Sequence, residues 1–350
     1  MTEEQTKSSP PTPNGGSNGM LVPPRLRSAG LAGVGSSLLR LRELSVIIVA
    51  IALFAYFSIH SPSSFLSKSN FSNISDFVSA WAIIAAGEVM LLVCGEIDLS
   101  AAMTYALTPI VMMSLHGNGL PLFVAFLISL VVAATVGLFN GLVTVFLGLP
   151  SFITTLGTLF LLHGITLKIS GSNPMAAPTE GNLVQALGGW KWSEILWAIA
   201  IAIAMQIVLT NTKWGAYTIA TGANFVGAAE AGIKVRQIKI RAFLITAVFA
   251  GFAGTLDGIH ISQSFDPNGD PNLMFTAVAA SVIGGTALLG GSGTVIGAFF
   301  GAALLGILQD GFNIIGLTAT TFVVVEGAAI ILAMVANTQL TRFRQSARAA

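Results

Sequence analysis

Long apolar runs separated by short polar breaks dominate this chain, and they predict its elements. Ten stretches (44–60, 77–94, 100–115, 121–147, 151–169, 193–210, 242–261, 274–291, 295–314 and 319–336) reach or approach the roughly 20 apolar residues that a spanning helix needs. The runs are continuous rather than alternating, which argues against a transmembrane β-barrel. The pattern predicts an all-α polytopic membrane protein with about ten transmembrane helices. If the second and third stretches form one broken helix plus a re-entrant piece, the count becomes nine or eleven.

The sharpest polar break is Cys94-Gly95-Glu96-Ile97-Asp98-Leu99-Ser100. A carboxylate at the centre of a bilayer costs about 2.5–3.5 kcal/mol on insertion scales. Two of them behind a glycine therefore point to irregular backbone that lines a cavity or a protein interface rather than lipid. Other acids inside apolar stretches are Glu88, Asp257, Asp310 and Glu326. Each is a candidate for the transport route, with a structural hydrogen-bonding role as the alternative.

Composition supports the membrane class. Of the 350 residues, 54% are hydrophobic and 9% charged, and the mean hydropathy is +0.82. Soluble domains stay near 45–50% apolar. The 38 glycines suit close helix packing in lipid. A net charge of +1 gives no sign of a nucleic-acid partner, and the single cysteine, Cys94, excludes an internal disulfide. The polar segment 1–43, with Pro10, Pro11, Pro13, Gly15 and Gly16, is expected to be a disordered tail, and 337–350 a basic C-terminal tail. The first apolar run lacks a small-residue cleavage site and is expected to stay as a helix.

Charge distribution orients the chain. With both termini cytoplasmic, 13 of the 16 Lys and Arg residues fall inside, in the N-terminal tail, the 211–240 segment and the C-terminal tail. Only Lys68, Lys168 and Lys191 fall outside, as the positive-inside rule expects. Two echoes suggest an inverted repeat. Gly137-Leu138-Phe139-Asn140-Gly141 is similar to Gly297-Ala298-Phe299-Phe300-Gly301, and Gly95-Glu96-Ile97-Asp98 to Gly254-Thr255-Leu256-Asp257. Chance likeness between glycine-rich helices is the alternative.

The 211–240 segment is not a bare linker. Ala228-Ala229-Glu230-Ala231 is helix-prone, Gly232 follows as a C-cap, and Ile233 and Val235 supply an apolar edge. That predicts a small cytoplasmic helix built to dock on a partner; a basic loop held by anionic lipid is the alternative. No Gly-x-x-x-x-Gly-Lys-Ser/Thr motif occurs, so the chain has no P-loop. Histidines 60, 116, 163 and 260 show no metal-ligand spacing, and neither a metal centre nor a catalytic constellation is expected. The turn-rich 262–273 loop is expected on the outer side, either as a solvated hairpin or as a contact for a partner protein.

Taken together, these segments resemble the permeases of ABC importers. Gly222 with Ala228, Glu230, Ala231, Gly232 and Ile233 resembles their coupling loop. Gly95–Ser100 is similar to the Gly-Gly-Ile-Asp-Leu-Ser signature of the monosaccharide branch, the ribose, xylose and arabinose permeases. Leu149-Pro150-Ser151-Phe152-Ile153-Thr154-Thr155-Leu156-Gly157-Thr158 resembles that family's next helix, and Ser281–Gly293 its glycine-rich segment. Glu96 departs from the signature, which usually has glycine there, and Ala101 and Ala102 replace a common Val-Gly pair.

The resemblance implies a pore made of two permease copies. It also implies cytoplasmic ATPase subunits that use the ATP, and a periplasmic sugar-binding protein. The location would be the bacterial inner membrane, with no cofactor on this chain. Glu230 would position the docking helix, and Gly222 and Gly232 would allow its tight entry and exit. Glu96, Asp98, Ser100, Phe139, Asn140 and Asn313 are candidates for a weakly binding sugar route. An ion-driven secondary carrier is the rival reading, and an intramembrane enzyme a more distant one.

Overall fold

The computed structural model describes residues 42–318 and 320–332, with Val335. The expected C-terminal tail and nearly all of the expected N-terminal tail lie outside them. The helices are α1 (Arg42–His60), α2 (Pro62–Phe65), α3 (Lys68–Val93), α4 (Ala101–Gly117), α5 (Leu122–Phe146) and α6 (Ser151–Ser170). After strand β1 (Met175–Ala176) come α7 (Asn182–Leu187), α8 (Ser193–Asn211), α9 (Lys213–Ala223), α10 (Phe225–Glu230) and α11 (Val235–Asp257). A π-helical turn, Gly258–Ser262, leads to β2 (Ser264–Phe265), α12 (Pro271–Ile283), α13 (Val295–Ile314) and α14 (Thr320–Leu332).

Among the described residues, six helical spans are long and apolar enough to cross a membrane: α3, α5, α6, α8, α11 with its π-turn, and α13. The eighth stretch is shorter than expected. Its helix ends at Ile283 rather than at 291, because Gly284 and Gly285 begin a turn in which Gly285 has a positive φ.

α3 is the central helix, with 89% of its most apolar window buried. Its small residues Ala82, Ala85, Ala86 and Gly87 let α8, α11, α12 and α13 approach it closely. α5, α6 and α8 are mostly peripheral, and α6 buries only 28% of its window. They present Phe123, Val131, Phe146, Phe160 and Ile203 outward, as lipid-facing helices do.

The first echo has a common physical basis. Gly137 and Gly141 bring α5 onto Phe243, Leu244, Ala247 and Ile240 of α11, while Gly297 and Gly301 bring α13 onto Gly284 and Ala280. Both are small-xxx-small crossings. The second echo does not extend to the backbone: Gly95 terminates a helix, whereas Gly254 lies inside α11 against the Tyr105 carbonyl.

α3 ends in a Schellman motif. Gly95 takes φ +77°, donates to Leu92 O at 2.9 Å, and Glu96 N–H reaches back to Leu91 O at 3.0 Å. A second break, 284–294, separates α12 from α13. The two breaks meet where Gly291 N–H donates to Val93 O at 2.8 Å. α13 then starts beneath a cap from α8, since Gln206 Oε1 accepts from Val295 N–H at 2.8 Å and Ile296 N–H at 3.1 Å.

The 211–240 segment is helical rather than a loop, holding α9, α10 and the start of α11. The 262–273 segment is no free hairpin either. β2 pairs antiparallel with β1, and Gly269 is tucked against Met103 and Ala106 of α4.

Candidate functional site

Irregular backbone inside a bilayer needs its polar groups satisfied by protein. Here the start of α6 supplies the partners. Ser151 Oγ accepts from Ile97 N–H at 3.3 Å, and Thr155 Oγ1 accepts from Leu99 N–H at 3.0 Å. Two separate sequence motifs, 95–100 and 149–158, are thus the two halves of one clasp.

Asp98, Ser100 and Asn140 meet at its centre and are fully buried. Asp98 Oδ1 accepts from Ser100 N–H at 2.9 Å and from Ser100 Oγ at 2.6 Å. The Asn140 amide donates to Ser100 Oγ at 2.7 Å and lies 3.3 Å from Asp98 Oδ1. Asn140 Oδ1 in turn accepts from Thr158 Oγ1 at 2.7 Å. The network joins α5, α6 and the α3–α4 break, and it holds a carboxylate without a cationic partner by directed hydrogen bonds.

Glu96 points elsewhere. It forms an ion pair with Lys239 of α11 at 2.5 Å, and its side chain is 11% exposed. Lys239 also sits 5.0 Å from the centre of the Phe225 ring in α10, a cation–π distance. A cavity of about 230 Å³ lined by Glu96, Thr144, Phe225, Arg236 and Lys239 opens beside them. Lys239→Met leaves Glu96 without its cation. We expect a loss between the roughly 1 kcal/mol of exposed pairs and the roughly 3–5 kcal/mol of buried ones. Thermal unfolding should show the double variant Glu96→Gln/Lys239→Met recovering part of that loss.

α10 is a complete, capped helix of six residues. Asn224 Oδ1 accepts from Gly227 N–H at 2.9 Å and caps its start. Its end is a second Schellman motif: Gly232 has φ +81°, and Ile233 N–H donates to Ala228 O at 3.0 Å. Ala228 is buried, Ile233 half-buried, and Ala229, Glu230 and Ala231 are exposed alongside Phe225 and Val226, the last at 63%. Gly222 does not shape the entry to this helix. It lies within α9, where Val93 O and Gly291 N already occupy the space a side chain would need. α9 therefore seats directly on the junction of the two breaks.

The remaining candidates do not converge on the clasp. Phe139 is half-exposed, whereas its neighbour Asn140 on α5 is fully buried. Asn313 is exposed and lines a separate cavity of about 350 Å³ with Asn70, Asn73, Asp76 and Asp310. At the end of the bundle opposite α10, a third cavity of about 340 Å³ is lined by Tyr105, Pro109, Asp257, Asp266 and Asp270. Sequence reasoning passed over Lys239, Asn224, Thr158 and Gln206 as site residues. Asn224 had a readable signal, an N-cap residue before a helix-prone run.

Comparison with known proteins fits this arrangement. The family model described as branched-chain amino acid transport system / permease component matches residues 70–334. The xylose/arabinose import permease of Sulfolobus acidocaldarius is 36% identical over 303 residues, covering 84% of this chain and 83% of that protein. The ribose import permease of Escherichia coli K12 is 30% identical over 305 residues, with 85% and 94% covered. The galactose/methyl galactoside import permease of the same organism is 32% identical over 324 residues, with 85% and 95% covered. No solved structure matches the chain. The chain belongs to this family of permease components and is the membrane-spanning transport subunit of an ABC importer rather than an enzyme.

Proposed function

We propose that two copies of this chain form the pore of a monosaccharide importer in the bacterial inner membrane. The short helices α1, α4, α12 and α14 would complete the bundle around the six long spans, with both termini cytoplasmic. α10 is the docking element for a cytoplasmic ATPase subunit, and a periplasmic binding protein delivers the sugar at the opposite end. The relatives that import xylose, arabinose, ribose and galactose support a neutral sugar as cargo.

One observation carries this reading: α10 is mechanically joined to the membrane break. Phe225 rests under Lys239, Lys239 holds Glu96, and Gly222 seats α9 on Val93 and Gly291. Movement of α10 by the ATPase therefore reaches the α3–α4 and α12–α13 breaks directly. Those breaks lie where helix packing has two alternative arrangements during transport. A neutral sugar needs hydrogen bonds and an aromatic face. Tyr105, Asp257, Asp266 and Asp270 offer both at the outer cavity, and Glu96, Asp98, Ser100, Phe139, Asn140 and Asn313 remain candidates along the route.

The test is reconstitution with a monosaccharide-importer ATPase and its binding protein in liposomes, followed by sugar-stimulated ATP hydrolysis. Val226→Glu places a charge on the exposed face of α10 and should abolish co-purification of the ATPase. Gly232→Glu meets no atom within contact distance but strains a left-handed residue by about 1–2 kcal/mol. It should leave the permease folded, keep ATP hydrolysis and lose sugar uptake. Normal uptake by both variants, or uptake driven by an ion gradient without ATP, would refute the assignment.

A further inference from the structure

Asp76 of α3, Glu194 of α8 and His260 of the π-turn after α11 converge at the end of the bundle opposite α10. Each offers a ligand atom, and these atoms all lie within 4.8 Å of one another. Glu194 is 1% exposed, and among the described residues neither of its carboxylate oxygens has a hydrogen-bond partner; Asp76 Oδ1 faces His260 Nε2. Buried carboxylate oxygens with nothing to accept from are costly, and an ion that they bind removes that cost.

The histidine is set up as a ligand. His260 Nδ1 lies 2.8 Å from the Gly188 carbonyl, so Nδ1 carries the proton and donates. In the neutral ring Nε2 then keeps its lone pair on the side of Asp76, the tautomer that metal-bound imidazoles usually have. Nε2 is 3.4 Å from Asp76 Oδ1. A tetrahedral ion with bonds of about 2.0–2.2 Å has ligand–ligand edges of roughly 3.3–3.6 Å. One edge is therefore already formed, and the Glu194 side needs a shift on the order of 1 Å to match.

The site is accessible as well as buried. A cavity of about 270 Å³ lined by Trp190, Lys191, Gly188, His260 and Gln263 reaches it from the β1–β2 side. Asp76 also borders the 350 Å³ cavity that contains Asn313 and Asp310. Water could occupy a fourth position from either side. Two carboxylates and one imidazole suit zinc-like divalent ions; calcium needs six to eight oxygens and copper(I) prefers sulfur.

We propose that Asp76, Glu194 and His260 form a divalent transition-metal site of the zinc type, which ties α3, α8 and α11 together at that end of the bundle. The site does not depend on the transported cargo.

The test uses the tag-free full chain in detergent, stripped with chelator and titrated with Co²⁺ and then with Zn²⁺. Calorimetry should show saturable binding of one ion per chain, Co²⁺ should give the strong visible bands of four-coordination, and Zn²⁺ should raise the melting temperature. Glu194→Gln and His260→Gln should each weaken binding at least about ten-fold and remove the Zn²⁺-dependent thermal shift. Glu180→Gln, an exposed acid in the β1–α7 loop, should bind as the wild type does. If Glu194→Gln does not fold, the wild-type titration and His260→Gln still decide the matter. Absence of saturable binding by the wild type would overturn the site and leave a carboxyl network sharing protons. Unchanged binding in both ligand variants would overturn it equally.

Discussion

Gly222→Val should abolish transport and lower the melting temperature sharply, whereas Gly232→Ala should leave a folded, nearly normal permease. Both glycines lie close to α10 in the chain, and they differ in what a side chain would meet. At Gly222 the space belongs to Val93 O and Gly291 N, two backbone atoms hydrogen-bonded to each other. Backbone cannot rotate aside as a long side chain can. Overpacking a close contact costs about 1–3 kcal/mol and occasionally more. Here it also separates α9 from the junction of the two membrane breaks. Gly232 has open space and only its positive φ to satisfy, a strain of about 1–2 kcal/mol for alanine. Thermal unfolding of the two purified variants, with uptake in liposomes, checks the contrast. Equal tolerance at the two positions would mean that α9 does not rest on the junction.

Asp98→Ala should be the most destabilising single change in the clasp, by about 2–6 kcal/mol, because two or more buried donors lose their acceptor. It strips the acceptor from Ser100 N–H and Ser100 Oγ and removes an acceptor from the Asn140 amide, all in a fully buried setting. Each buried donor left without a partner costs about 1–3 kcal/mol. Asp98→Asn keeps an acceptor oxygen for Ser100 and should lose less than half as much. A double-mutant cycle between Asp98→Asn and Asn140→Ala, followed by thermal melting, should show a coupling energy of at least about 0.5 kcal/mol. Strict additivity would show that the two side chains act independently. Sugar uptake measured on the same variants separates two roles. Loss of uptake in proportion to stability marks a structural clasp, while loss of uptake by a stable Asp98→Asn marks a residue on the sugar route.

Most apolar runs could be read because a spanning helix must be apolar over its whole length, so hydropathy alone exposes it. The Gly95–Ser100 break was legible for the same reason, since acids and glycine stand out against apolar surroundings. The short helix α10 was legible from Ala228–Ala231 and Gly232, whose C-cap geometry is local. The end of α12 was not: 274–291 carries no charged residue, and the packing of Gly284 against Gly297 and the left-handed Gly285 stop the helix at Ile283. The role of Gly222 was misread for a related reason. Its constraint comes from Val93 and Gly291, both distant in sequence.

The sequence by itself determined the all-helical membrane class, most of the spans, the polar break and the short helix α10, because each depends on residues within one or two helical turns. Tertiary structure alone decided which polar residues meet. Asp98 is satisfied by Asn140 and an α6-held loop, Glu96 is turned to Lys239, and His260 faces Asp76 and Glu194 across three helices. Hydrogen bonds and metal ligation act over about 2–3.5 Å, and chain spacing carries no such distance until the helices have packed.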